Sequence, residues 1–264
     1  MRKDIEIIKL IFKTQLVWRF DIAANVLFTI SKIVFAYIVW SAVFGEKEMI
    51  AGFTFHTMLS YYIISSFLSQ LDMSERIGWD ISSAIRGGTF SKFMVLPINT
   101  ERYFIARTIG ASAFHLLFHL IAAVIWIFIF QIRFAFTGDI YMLLSAACFV
   151  IIGLLFMMQL NYMLGILTFQ FGNIDVFLMI KSTLVSFITG TLVPLILLPA
   201  SIVAFMRVFP FYYITYLPSM LLIGQNRDEI ITGIITLSLW VLAFVPVNKL
   251  LYHRLRVRFD GVGI

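Results

Sequence analysis

The stretch Ile85-Arg-Gly-Gly-Thr-Phe-Ser-Lys-Phe-Met-Val-Leu-Pro97 is basic, punctuated by Gly and Pro, and flanked by segments apolar enough to cross a bilayer. Around it, over residues 72–102, Asp72, Glu75, Arg76, Asp80, Arg86, Lys92, Glu101 and Arg102 are interleaved with Ile77, Trp79, Ile81, Ile85, Phe90, Phe93 and Leu96. That mixture predicts a helix with one lipid-facing side and one protein-facing side. Gly87 and Gly88 can end the helix and let another backbone come close, and Pro97 resets the chain direction. On these residues alone an interfacial helix and a docking element for another protein fit equally well.

Composition sets the surroundings of this insert. Hydrophobic residues make up 61% of the 264 and charged residues 13%, whereas charged residues are about a quarter of a soluble domain. A soluble fold could not bury so much apolar surface, so the chain is expected to be one integral membrane domain, 1–264. The net charge of +6 raises the question of nucleic acid, but the positions of the basic residues fit membrane topology better, and no nucleic-acid partner is expected. The one cysteine, Cys148, lies inside an apolar run, which excludes an intrachain disulfide and a cysteine metal cluster.

A helical span needs about 20 mostly apolar residues. Six candidates meet that requirement, at 22–44, 53–71, 104–130, 140–169, 176–199 and 230–252. Before them, Ile5, Ile8, Phe12, Leu16 and Phe20 fall at helical intervals with Lys9, Lys13 and Arg19 between, so 1–20 is expected as an amphipathic interfacial helix. Its scattered charges do not resemble a cleavable signal peptide. Five Lys or Arg lie in 1–20, five in 72–107 and four in 249–264, while the opposite loops hold only Lys47, Arg133, Arg207 and Arg227. The bias puts both termini and the insert on the cytoplasmic side of a multi-pass protein of the cell membrane.

Lys181 sits near the cytoplasmic start of the fifth span, where it can snorkel, and Lys32 lies deeper. For Lys32 two readings stand: the surface helix continues to about Asn25, or the residue faces a protein interface. In 190–224, Pro194, Pro199, Pro210 and Pro218 interrupt an apolar run, which predicts two short helices dipping back from the outer face. Gln159 and Asn161 interrupt the fourth span, as helix–helix hydrogen-bonding groups or as polar contacts in a transport cavity. Phe209, Phe211, Tyr212, Tyr213 and Tyr216 suit either an outer gate or an interfacial aromatic belt. His115 and His119, at i and i+4, could hold a metal in an intramembrane enzyme, but no His-Glu-x-x-His is formed and no carboxylate accompanies them. Ser112 near His115 lacks a Gly-x-Ser-x-Gly setting.

The run Ile85-Arg86-x-Gly88 followed by seven residues and Leu96-Pro97, between the second and third of six spans, resembles the cytoplasmic coupling region of ABC type-2 export permeases. Thr189-Gly190-Thr191, Pro194-Leu195, Leu198-Pro199, Phe209-Pro210-Phe211, Tyr216-x-Pro218 and Gly224 resemble that family's extracellular hairpin, in the branch of drug-resistance and nodulation-factor-type permeases. Arg258-Phe259-Asp260-Gly261-Val262-Gly263 resembles the Arg-aromatic-x-x-x-Gly ending of the same branch.

The resemblance implies an all-α permease subunit that contributes half of a transport pathway and depends on a separate ABC ATPase in two copies. A second permease, identical or paralogous, would complete it. ATP and magnesium would sit on the ATPase, with no cofactor on this chain. Arg86, Gly87, Gly88, Lys92, Leu96, Pro97, Glu101 and Arg102 would couple to the ATPase. Gln159, Asn161, Pro194, Pro199, Phe209, Phe211, Tyr212 and Tyr216 would belong to the substrate pathway or outer gate. The chain itself agrees about the ATPase: Lys181-Ser182 lacks the glycines of a phosphate-binding loop and Lys92 is followed by Phe93. A channel or secondary carrier would carry more ionisable residues inside its spans. An assembly scaffold without transport activity is a further reading.

Overall fold

The computed structural model describes residues 2–15, 17, 19–95, 99–130, 134–190 and 195–258, and these are helical almost throughout. Leu96, Pro97, Pro194 and the C-terminal motif beyond Arg258 lie outside the described residues.

The elements run α1 Arg2–Gln15, α2 Arg19–Phe44, α3 Phe55–Leu71, α4 Glu75–Arg86, α5 Ser91–Val95, α6 Thr100–Phe130, α7 Ile140–Ile166, α8 Thr168–Phe171, α9 Asp175–Ile188, α10 Ala200–Met206, α11 Tyr216–Leu222 and α12 Ile230–Leu255. Local chemistry starts two of the long ones. Thr54 and Thr57 form a reciprocal capping box at α3. The Asp139 carboxylate accepts from the Tyr141 N–H at the head of α7, where it also opposes the positive end of the helix dipole.

Among the described residues two stretches, Ile140–Phe171 and Arg227–Arg258, are long and apolar enough to cross a membrane, and Ala200–Met206 with Pro210–Leu222, bent by 92°, is a third by length and composition. The expected fifth span is shorter than the hydropathy run. Helix α9 holds 14 residues, about 21 Å against a hydrocarbon core of about 30 Å, and the chain turns at Gly190, whose φ is +74°. A side chain there would stand 2.8 Å from the Tyr61 hydroxyl, so glycine serves both the turn and the close approach.

Helix α7 is the centre of the packing, touching α4, α6, α11 and α12. The larger core gathers Trp40, Met58, Tyr61, Phe149, Phe156 and Tyr212 from α2, α3, α7 and the segments around α11. A second core unites Ile77, Ile81 and Ile85 of α4 with Phe90, Phe93, Phe104, Tyr162 and Phe169. The apolar stripe of α4, expected toward lipid, therefore lies against protein. The helix ends at Gly87, where the Gly87-Gly88 pair predicts an end, and a second short helix, α5, follows it.

Helix α1 ends at Gln15, before 20, and packs along α6. Gly110 makes the contact possible, since a Cβ there would come within 2.6 Å of the Ile8 carbonyl oxygen. Because α2 starts at Arg19 as a separate helix, the surface helix does not extend to Asn25. The Lys32 side chain lies outside the described residues.

Candidate functional site

The insert is fixed at its beginning by a polar relay. The N–H and hydroxyl of Ser74 both donate to Asp72 Oδ1, and the Ser74 hydroxyl oxygen accepts from Asn161 Nδ2 of α7 at 2.7 Å. Asn161 Nδ2 also donates to its own helix at Met157 O, 3.0 Å away. Burial holds the Asp72 carboxyl above the usual carboxylate range, against the opposing pull of the Ser74 hydrogen bonds. Two glycines bring α4 down onto its neighbours. A Cβ at Gly165 would stand 2.9 Å from Ile81 Cβ, and one at Gly78 would stand 3.1 Å from Leu178 Cδ2.

At the other end of α4, Gly87 donates to Ser83 O at 2.9 Å and Gly88 to Ile85 O at 3.1 Å. Gly88 has φ +70°, the left-handed residue that closes a helix end, so its glycine has a conformational reason independent of any partner. Phe90 and Phe93 then anchor α5. Their ring centroids are 5.4 Å apart, and they lie 5.1 Å from Phe169 and 5.3 Å from Phe104 respectively. With those rings inside, Gly87, Thr89, Ser91, Lys92, Met94 and Val95 are exposed as a continuous outer face and Arg86 is half-buried. Lys92 rests over the Phe93 ring, 5.0 Å from its centroid.

Glu101 and Arg102 are brought to the same end but act as ties. Arg102 pairs with Asp4 of α1 at 3.0 Å, and Arg107 pairs with Asp80 of α4 at 2.8 Å. Glu101 accepts from Asn248 Nδ2 of α12 at 2.9 Å, and the same nitrogen donates to Gln159 O at 3.1 Å. Burial raises the Glu101 carboxyl above its ordinary range. Gln159 and Asn161 are thus buried on helix–helix contacts, each keeping one amide oxygen without a partner among the described residues.

The opposite end of the molecule is organised around Glu229. It receives Arg207 at 2.7 Å, the Tyr212 hydroxyl at 2.8 Å and Asn226 at 2.6 Å. Tyr212 and Tyr216 are buried, 4.9 Å apart between ring centroids, and Tyr216 meets Tyr61 at 5.9 Å. Phe211 packs on Phe156 at 5.8 Å. These aromatics are core rather than an interfacial belt. Phe209 is half-buried beside Phe205, and Pro199 is exposed at the start of α10.

His115 is buried next to Phe114, and the His119 side chain lies outside the described residues. Among the described residues no three His, Cys, Asp or Glu come together as a metal site.

Sequence reasoning missed Asp72 with Ser74, Asn248, Glu229 with Arg207, and the burial of Lys181. The signals were modest: an Asp-x-Ser-Glu helix start, and an asparagine two residues after Pro246 in an apolar run.

A polar-capped helical bundle with two helices long and apolar enough to cross a bilayer among the described residues, and an amphipathic insert seated on its end, is a helical membrane protein. The chain belongs to the ABC-2 family of transporter proteins, whose profile matches residues 14–263, and it is the membrane component of such a transporter. A search of curated proteins found no match.

Proposed function

We propose that the chain is the transmembrane permease subunit of an ATP-binding cassette exporter, moving a hydrophobic or amphiphilic substrate out of the cytoplasm or inner leaflet. The driving force comes from a separate ATPase subunit in two copies, which binds ATP and magnesium. A second permease, identical or paralogous, completes the pathway. In this reading the branch is that of the drug-resistance and nodulation-factor-type permeases, and both termini are cytoplasmic. Six crossings are formed by α2, α3, α6, α7, α9 with the turn after it, and α12.

The observation that carries the proposal is the α4–α5 insert in a chain of this family. Its inner face is held to α7 through Asn161 and Gly165 and to α6 and α8 through the phenylalanine cluster, while its outer face presents Lys92, Met94 and Val95 to solvent. A partner pressing on that face would displace α4 and α7 as one body. Alternating access then follows from two arrangements of the helices with different substrate affinity.

The test is co-expression of the chain with the candidate ATPase, then purification and reconstitution. Lys92→Glu and Arg86→Glu reverse charge on the outer face and should weaken assembly or uncouple ATP hydrolysis from transport. Ile151→Leu, on the exposed side of α7, should be silent. Wild-type assembly and transport in both charge-reversed variants would remove α4–α5 from the coupling mechanism.

A further inference from the structure

Helices α3, α7 and α9 do not close on one another near the junction of α3 and α4. They leave a cleft of about 200 Å³ with a charged end and an apolar wall. The charged end carries Asp72, Glu75 and Lys181. Leu68, Leu154, Val185 and Ile214 form the apolar side.

The Lys181 side chain is only 8% exposed, and its ammonium is 3.7 Å from Glu75 Oε1. That distance is an ion pair but too long for a hydrogen bond. An ammonium has three donors, and among the described residues none of those on Lys181 meets an acceptor within hydrogen-bond reach. Asp72 is the complementary case. Its Oδ1 takes both hydrogen bonds from Ser74, while Oδ2 receives none among the described residues. Both groups line the cleft, and the described residues fill the hydrogen-bonding capacity of neither. The cleft thus offers unfilled cationic donors beside an unfilled carboxylate oxygen.

We propose that this cleft binds the head of a zwitterionic amphiphile, with an anionic phosphate or carboxylate on Lys181, an ammonium on Asp72, and the chain leaving along Leu68, Leu154 and Val185. An anion alone would face the carboxylates of Asp72 and Glu75. A cation alone would leave the Lys181 donors unfilled. The volume is below the roughly 300–1,000 Å³ of drug-sized pockets, so it takes a headgroup and its first methylenes and leaves the tail to the lipid. The inference rests on the exporter reading for the ligand's role in transport, but binding itself needs no ATPase.

The experiment uses the full chain purified in a non-ionic detergent, titrated calorimetrically with dihexanoyl phosphatidylethanolamine, dihexanoyl phosphatidic acid and hexylamine. The zwitterion should bind at least tenfold more tightly than either single-charge probe. Asp72→Asn keeps an oxygen for Ser74 and so preserves the start of α4; it and Lys181→Met should each weaken the zwitterion at least tenfold. Equal binding of phosphatidic acid or hexylamine, or unchanged binding in the folded variants, would overturn the proposal. If a variant fails to fold, the three-probe comparison on the wild-type chain decides by itself.

A resident lipid would be recovered with the wild-type chain by mass spectrometry and lost from Lys181→Met. A transported amphiphile would raise the ATPase rate of the assembled complex and fail to do so with Asp72→Asn. Either result supports the site. A chain that binds the zwitterion but assembles with no ATPase would end the exporter reading and leave the site standing.

Discussion

Placing alanine and then valine at position 165 separates tertiary packing from helix propensity, because the two effects rank glycine at opposite ends. Of these three residues propensity ranks Ala best and Gly worst in a helix interior, with glycine about 1 kcal/mol behind alanine. Packing ranks Gly best here. The new Cβ would stand 2.9 Å from Ile81 Cβ, 3.1 Å from Cδ1 and 3.2 Å from Cγ2. The nearest atom is the branch point of a β-branched side chain, so rotation cannot relieve the contact. Overpacking costs about 1–3 kcal/mol. Subtracting the propensity gain leaves Gly165→Ala destabilised by roughly 0–2 kcal/mol, and Gly165→Val, with two more methyl groups, nearer 3 kcal/mol. At roughly 2–4 °C per kcal/mol for a chain of this size, the valine variant should melt on the order of 6–12 °C below wild type. Ile81→Ala alone should cost about 2–5 kcal/mol, and combined with Gly165→Val it should cost less than the sum by on the order of 1 kcal/mol. Thermal unfolding of wild type and the four variants in one detergent measures all of this. An alanine variant more stable than wild type, or strict additivity of the pair, would refute the α4–α7 seam as described.

Three other outcomes are expected. Glu229→Ala removes the shared acceptor of Arg207, Tyr212 and Asn226 and should cost about 2–4 kcal/mol, seen as a lower melting temperature and faster proteolysis around 199–229; unchanged proteolysis would count against that anchor. Because burial raises the Glu101 carboxyl in the folded state, stability linked to it is present at low pH and lost as pH rises through the folded pKa. Glu101→Gln should therefore gain relative to wild type more at pH 8 than at pH 5, and the reverse order would contradict the assignment. In a Cys148→Ser background, an impermeant thiol reagent on intact cells should label Lys47→Cys and spare Lys92→Cys; the opposite pattern would invert the topology.

Amphipathy made α4 legible because Ile77, Ile81 and Ile85 recur at a spacing of four, and the prolines announced the broken segment that became α10 and α11. What an apolar stripe does not encode is its cover. Lipid and α7 are equally good apolar surroundings, and only the long-range pairing of Gly78 with Leu178 and of Gly165 with Ile81 distinguishes them. The same limit misled the reading of Lys181. Nearness to a span end suggests snorkelling, whereas the structure buries the side chain toward Glu75, which is over 100 positions earlier in the chain. Hydropathy also lengthened the fifth span, since residues after Gly190 are apolar although the helix has ended. Gln159 and Asn161 stood out as polar residues in an apolar run, but Ser74, which pairs with the Asn161 side chain, and Asn248, which bonds the Gln159 backbone carbonyl, carry no such contrast.

Under the exporter reading, α7 connects the two ends of the molecule. At one end it holds α4 through Asn161 and Gly165. At the other, Gly153 lies under Ile214, Phe149 stacks on Tyr213 with centroids 6.2 Å apart, and Phe156 meets Phe211. Gly153 and Gly165 are separated by a helical rise of about 18 Å, and each is a position where the neighbour comes too near for a side chain to fit without movement. Close-packed contacts of that kind move together or break, because interiors are dense and do not compress. A displacement of α4 is therefore delivered to the segment around Phe211, Tyr213 and Ile214 as a rigid shift of α7. The cleft between α3, α7 and α9 lies beside that helix, so the same shift would change its width, and substrate affinity with it.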